Sequence, residues 1–405
     1  MPLLFFESYE SGSEPLMFWP RGAAMKVASI FLSMLAALAL QACSPSSNER
    51  RTSSESEAGS KVPSSQADYS AVVKRLEPLA ARGDGDAEFR LGRMYAHGQG
   101  LPRDVAKAAA LYGASAAQGN SDGENGLGVS YEAGDGVPVD LDQAIALFRK
   151  SANQGNAKGQ YNLGRKYEHG SGVPLDYGEA AKWFKQSAAQ GYVLAEYELG
   201  LMYDSGFGVE QNNALALKLY LAAAEQGDEF AENNLGLMYG DGRGVPQDTK
   251  QAMSWYRKSA AQDNASAMNN LANIYRYGAS GQAVDYEQAI AWYAQSVELD
   301  NAHAENNLGE MYENGRGVPK DLPRAIALYR SAAAQDYSGA ETNLGRLYLG
   351  GLGLDKDCAQ AIRWYQAAIK PLSSKTPRMR KTAWVRCIPM VSACPKTTLS
   401  LRNFS

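Results

Sequence analysis

The residues able to do chemistry are few and poorly spaced for it. Only three histidines occur in 405 residues, and His97 and His169 fall at the same place in two similar stretches, beside a glycine-rich turn. Two repeats apart they cannot share a metal ion, so they read as exposed loop histidines. Cys43, Cys358, Cys387 and Cys394 are too few for a disulfide framework, and no pair has zinc-ribbon spacing. Pro389 and Pro395 break up the region around the last two, and no metal or cofactor is expected. No Ser stands three residues before a Lys, and there is no G-x-S-x-G elbow, H-E-x-x-H or Walker-type phosphate loop. The many G-x-G turns lack a preceding strand. Catalysis is not expected. One polar column does recur: Asn162, Asn234, Asn270, Asn307 and Asn343 each stand directly before a Leu, with Asn233, Asn269 and Asn306 ahead of three of them. Such a column has two readings: amides that hydrogen-bond the backbone of a bound peptide in a groove, or amides that bridge adjacent helices.

The column exists because the text around it repeats. Length alone would suggest two or three domains. Aligning the small residue that follows each of those Leu positions gives Gly92, Gly128, Gly164, Gly200, Gly236, Ala272, Gly309 and Gly345, 36 residues apart except for one step of 37. The extra residue lies in the turn YGASGQAVD. A fixed period of this size marks a solenoid of stacked supersecondary units. A Tyr follows each small residue by three, and lies on one helical face with the Leu before it. Gly inside a helix costs roughly 1 kcal/mol against Ala, so its presence in seven of eight copies implies close helix packing.

After each glycine-rich turn comes a residue suited to cap a helix: Asp104, Asp140, Asp176, Asn212, Asp248, Asp285, Asp321 and Asp357. Four residues on, every copy has Ala, and eight on, every copy has an aromatic, from Tyr112 to Tyr365. Cap, small knob and large knob define one buried stripe. Fifteen residues after the cap, Gly119, Gly155, Gly191, Gly227, Asp263, Asp300 and Asp336 suit a left-handed helix terminus. Trp183, Trp255, Trp292 and Trp364 are read as buried. The expected fold is all-α, an α/α superhelical solenoid of about eight antiparallel helix pairs over residues 84–370. A lone helix over 67–83, with Val72 and Leu76 at the small-knob and large-knob positions, caps its start.

AENNLGLMYGDGRGVPQDTKQAMSWYRKSAAQD, from Ala231 to Asp263, resembles the Sel1-like repeat, a relative of the tetratricopeptide repeat, and eight copies agree in phase. The resemblance implies a right-handed superhelix with a concave face and a role as scaffold or adaptor between proteins or peptides. Some cysteine-rich relatives resemble β-lactam-binding proteins or hydrolases, which offers an envelope hydrolase as the alternative. That carry-over is weakened because only Cys358 lies within these repeats. A secreted or surface factor that contacts a host is a further alternative.

The flanks carry an address. Lys26, the apolar run from Val27 to Leu40 and the small residues before Cys43 read as a signal peptide over 25–42. LQAC resembles a bacterial lipobox, so Cys43 is the expected lipidation site, with Ser44 implying the periplasmic side of the outer membrane. Residues 1–24 then read as a misannotated upstream extension, and 43–66 as a flexible polar tether. The formal charge of −4 gives no reason to expect nucleic acid, but it is uneven: residues 371–405 hold seven Lys or Arg and no Asp or Glu. That tail reads as basic and irregular, possible as a membrane-surface segment or a frameshifted ninth repeat.

Overall fold

The computed structural model describes residues 66–369. The upstream extension, the signal peptide, Cys43 with nearly all of the tether, and the basic tail lie outside the described residues. Within them seventeen helices follow one another, and the only β-structure among the described residues is an isolated bridge between Ala279 and Gln282, in the turn that carries the extra residue. The first helix is α1 (Gln66–Ala80). Eight pairs follow: α2 (Gly85–His97) with α3 (Val105–Ala117), α4 (Ser121–Ala133) with α5 (Leu141–Asn153), α6 (Ala157–His169) with α7 (Tyr177–Ala188), α8 (Val193–Ser205) with α9 (Asn213–Glu225), α10 (Glu229–Asp241) with α11 (Thr249–Ala260), α12 (Ala265–Tyr277) with α13 (Tyr286–Glu298), α14 (Ala302–Asn314) with α15 (Leu322–Ala334), and α16 (Ser338–Gly350) with α17 (Cys358–Ala368). No helix among the described residues is long and apolar enough to cross a membrane.

Local chemistry sets the helix ends. Asp104 Oδ1 accepts from the Lys107 amide at 3.0 Å, and the other seven cap residues do the same for their own second helices. Each cap amide also donates back to the carbonyl of the conserved-phase Tyr, as Asp140 does to Tyr131 at 3.0 Å, which closes the turn. Asp263, Asp300 and Asp336 adopt φ of 63°, 55° and 57°, the left-handed conformation that glycine adopts at the same place elsewhere. A second row of caps, absent from the sequence reading, starts the first helices: Asp84, Asn120, Asn156, Asp228, Asn264 and Asn301. At Tyr192 and Tyr337 no side chain caps the helix, and the rings pack on the preceding repeat instead, Tyr192 against Tyr161 and Tyr337 against His303.

The core is a file of aromatic rings against small residues. Phe148, Phe184, Tyr220, Tyr293 and Tyr329 are fully buried. A methyl on Gly164 would stand 2.7 Å from Cε1 of Phe184, so the helix glycine makes room for the ring of its own repeat's second helix. The turn glycine Gly136 is constrained differently. Its φ is 77°, and a side chain would lie 2.6 Å from the backbone carbonyl carbon of Val105 in the preceding repeat. In the capping helix α1 the buried side chains are Val73 and Leu76, while Val72 is only half-buried. The four tryptophans expected in the core are half-buried as well: they sit one residue before the buried aromatic and cover the edge of the stack, with Lys258 Nζ 3.9 Å from the Trp255 ring centroid.

Two polar rungs cross this apolar file in register. A Ser eleven residues after the cap donates to the carbonyl near the start of its repeat's first helix, as Ser187 does to Ala157 at 2.7 Å. A Gln three residues later donates to a buried side chain four residues before the helix glycine: Gln154 to Glu124, Gln226 to Glu196 and Gln262 to Glu232, all within 2.7 to 2.8 Å. Burial raises the carboxyl pKa at Glu124, Glu196 and Glu232 above the usual range.

Candidate functional site

Each first helix packs on its own second helix and on the second helix of the repeat before it. First helices also touch each other, as α2 does α4, α4 does α6 and α10 does α12. What remains of their surface is a row running along the stack, the open face of the first helices. One residue after the helix glycine stand Arg93, Arg165, Leu201, Leu237 and Asn273, all half-buried, and the exposed Val129; two residues before it stands the asparagine column. Val129 is 43% exposed.

The asparagines form a ladder along this face. Asn162 Nδ2 donates to Asn125 Oδ1 at 2.8 Å, Asn270 to Asn233 at 3.0 Å, Asn307 to Asn269 at 2.9 Å and Asn343 to Asn306 at 2.9 Å. The acceptor is always a buried Asn three residues before the preceding repeat's small residue. The donors are half-buried, and each donates to the neighbouring repeat, Asn307 to Asn273 at 3.4 Å as well. Asn234 stands apart, because Tyr197 occupies the acceptor position in the repeat before it. The column therefore bridges adjacent helices at four of its five positions.

Charged pairs, mostly buried, link adjacent repeats, and sequence reasoning did not single them out. Arg276 donates to Glu310 at 2.6 Å, Arg346 to Glu313 at 2.6 Å, and Arg243 pairs with Asp204. Each partner lies in an adjacent repeat. Lys166, at a buried position held by Met94, Met202, Met238 and Met311 elsewhere, pairs with Glu132, its Nζ 5.9 Å from the Phe148 ring centroid. Between the third and fourth repeats, burial opposes the ionisation of Glu168, the Glu198 carboxylate adds to that, and Arg165 favours the charge. Its pKa rises to about 8. Desolvation, helped by Arg165 and Lys166, lowers the pKa of neighbouring His169. His97 and His169 are both exposed at turns, two repeats apart.

Eight consecutive segments, 85–120, 121–156, 157–192, 193–228, 230–264, 265–301, 302–337 and 338–370, match the Sel1 repeat. The chain belongs to the Sel1 repeat family. Sel1 repeats build a protein-interaction solenoid, a fold that is generally non-catalytic. A crystal structure of c5321, described as a protective antigen present in uropathogenic Escherichia coli strains displaying an SLR fold, is 31% identical over 80% of this chain and 78% of that one, with a TM-score of 0.55. A Sel1 repeat protein from Oxalobacter formigenes is 31% identical over 57% of this chain and 92% of that one, with a TM-score of 0.51. Among curated proteins, none matches the chain.

Proposed function

We propose that this Sel1 solenoid is a non-catalytic scaffold of the bacterial cell envelope. A lipid on Cys43 holds it on the periplasmic side of the outer membrane, and partner proteins dock along the open face of the first helices. The observation that carries the reading is that face: it runs through all eight repeats and alternates half-buried amides, charges and apolar side chains, as an extended protein ligand requires. The signal-like stretch before Cys43 supports the location. The asparagine column contributes its remaining amide groups to the partner's backbone.

The test is crosslinking in intact cells from a photoreactive residue at Val129 on the first-helix face, with Leu215 on a second helix, 39% exposed, as the control. One stoichiometric envelope protein captured from position 129 and not from 215 is the expected result. Equal capture from both, or none, removes the docking face. Asn234→Ala, which breaks no ladder rung and removes only the acceptor of Asn233 Nδ2 at 3.5 Å and a polar neighbour of Tyr220, is expected to weaken that capture about tenfold, a loss of about 1.4 kcal/mol, beyond any change in stability, which is read in parallel as Tm. Asn270→Ala strands the buried Asn233 carbonyl and is expected to cost about 1–2 kcal/mol of stability. Capture unaffected by Asn234→Ala makes the column architecture alone. Cys43→Ala is expected to move the protein from the membrane fraction to the soluble periplasm.

A further inference from the structure

The turn that joins each first helix to its second helix has a recurring structural duty. The residue before the second-helix cap closes the end of the first helix. Arg103 Nε donates to the Ala96 carbonyl at 3.0 Å, Gln211 Nε2 to that of Asp204 and Gln247 Nε2 to that of Gly240, both at 2.7 Å. The second and third repeats forgo this bond. Their residues at the same position are Val139 and Leu175, 62% and 50% exposed. Leu141, 37% exposed, links the two, because a side chain on Gly172 in the third repeat's turn would stand 3.5 Å from its Cβ. Val284 makes the same exchange three repeats further on, 49% exposed. Adjacent apolar side chains, standing where the fold elsewhere uses a polar one, mark an interaction surface.

The charge around this patch has one sign. Residues 133–142 hold Asp135, Asp140 and Asp142, residues 170–179 hold Asp176 and Glu179, and neither turn has a Lys or Arg. Whatever docks there must bring positive charge, and an anionic bilayer is repelled. The complement stands on the same kind of turn in the seventh repeat. In GRGVPKDLPR, residues 315–324, Arg316, Lys320 and Arg324 are all exposed and outweigh a single Asp321. Among them lies a hollow of about 680 Å³, walled by Val318, Pro319, Leu322 and Pro323 together with Lys320 and Arg324. The Arg324 guanidinium carbon lies 4.4 Å from the Tyr312 ring centroid, which holds it at that wall. An acidic rim with apolar knobs and a basic rim with an apolar hollow are complementary in sign and in relief. Within one chain the two cannot meet, because three repeats stand between them.

We infer that this rim is a self-association surface, on which the second-repeat and third-repeat turns of one copy dock Val139, Leu141 and Leu175 onto the basic seventh-repeat turn of a second copy. Docked reciprocally about a twofold axis, the contact closes as a dimer; docked in one direction, it adds copies in a row. The contact uses the turns between helices rather than the first-helix row, so it stands or falls independently of the partner proteins proposed to dock there.

Sedimentation equilibrium of the purified full chain, taken up to about 100 µM, reads the association directly. The expected result is a reversible dimer or longer assembly that weakens about tenfold between about 0.05 M and about 0.5 M salt. Asp142→Lys and Arg324→Glu change exposed residues that cap no helix. Each alone is expected to weaken association about tenfold at low salt, with helical circular dichroism retained. Both changes in one chain set opposite charges against each other again, and association is expected to return to within about threefold of the native chain. Val139→Ser leaves every charge in place and is expected to weaken association at both salt concentrations. A chain that stays monomeric, association unchanged in any of the three single variants, or no recovery in the double variant each overturns the proposal.

Discussion

At the scale of a residue, Glu168 shows how the open face stores a sensitivity to pH. Burial and the Glu198 carboxylate hold its proton to about pH 8, and Arg165 offsets them only in part. In the unfolded chain the same group titrates near 4.3. Between those values the folded protein binds more protons than the unfolded one, so this residue's contribution to stability grows as pH falls from about 8 towards 4.5 and is lost as pH rises. Glu168→Gln keeps the shape and removes the titration. The variant is expected to gain stability relative to the native chain at pH 8 and to lose that advantage by pH 5, read as the difference between two urea midpoints at each pH. A difference that does not change with pH would mean that Glu168 ionises normally. Nothing in the local sequence announced this group. Arg165 and Glu198 come from different repeats, and the spacing between them carries no rule.

At the scale of the helix pair, the Gln–Glu rung carries a signature that one sequence already contains. In the sixth repeat the two rung positions are Met268 and Leu299. Donor and acceptor have been lost together, because a lone carboxylate there would be buried without its hydrogen bond. Gln262→Leu alone is therefore expected to destabilise by about 1–3 kcal/mol, and adding Glu232→Met to recover most of that loss, in a double-mutant cycle followed by chemical denaturation. Additive effects would show that the rung does not couple the helices. The second-helix caps, the left-handed Asp263, Asp300 and Asp336, and the glycine against each ring were legible because each obeys an offset within one repeat. The rungs needed two such offsets read against each other. The asparagine ladder was half legible: its phase stood in the text, while its direction depended on which neighbouring helix approached. The tryptophans were misjudged because an aromatic one residue from a buried stripe points about 100° away from it, onto the rim.

At the scale of the molecule, each repeat touches only its neighbours, so the unit of stability is the 36-residue copy and its two interfaces. The boundaries that matter are then set by phase rather than by any one helix. Removing residues 192–227 takes out one full period and brings Gly191 directly before Asp228, which preserves the left-handed terminus and the cap of α10. The shortened chain should fold into a solenoid with seven repeats, its denaturant m-value lower by about one eighth because that much less surface is exposed on unfolding. It forfeits the Arg243–Asp204 pair and the Gln226–Glu196 rung, and keeps the Gln190–Gln160 rung at 2.8 Å. Removing only 213–225, one second helix, breaks the phase. It leaves Gly200 of α8 facing the place of the missing Tyr220 ring and strips that ring from its cluster with Ala231 and Leu235, and cooperative unfolding should be lost. If both deletions unfold alike, the fold is held by contacts longer than one repeat and nearest-neighbour stacking fails as its description. If the full-period deletion alone survives, the chain's length is free to vary in whole repeats, and the extent of the proposed docking face varies with it.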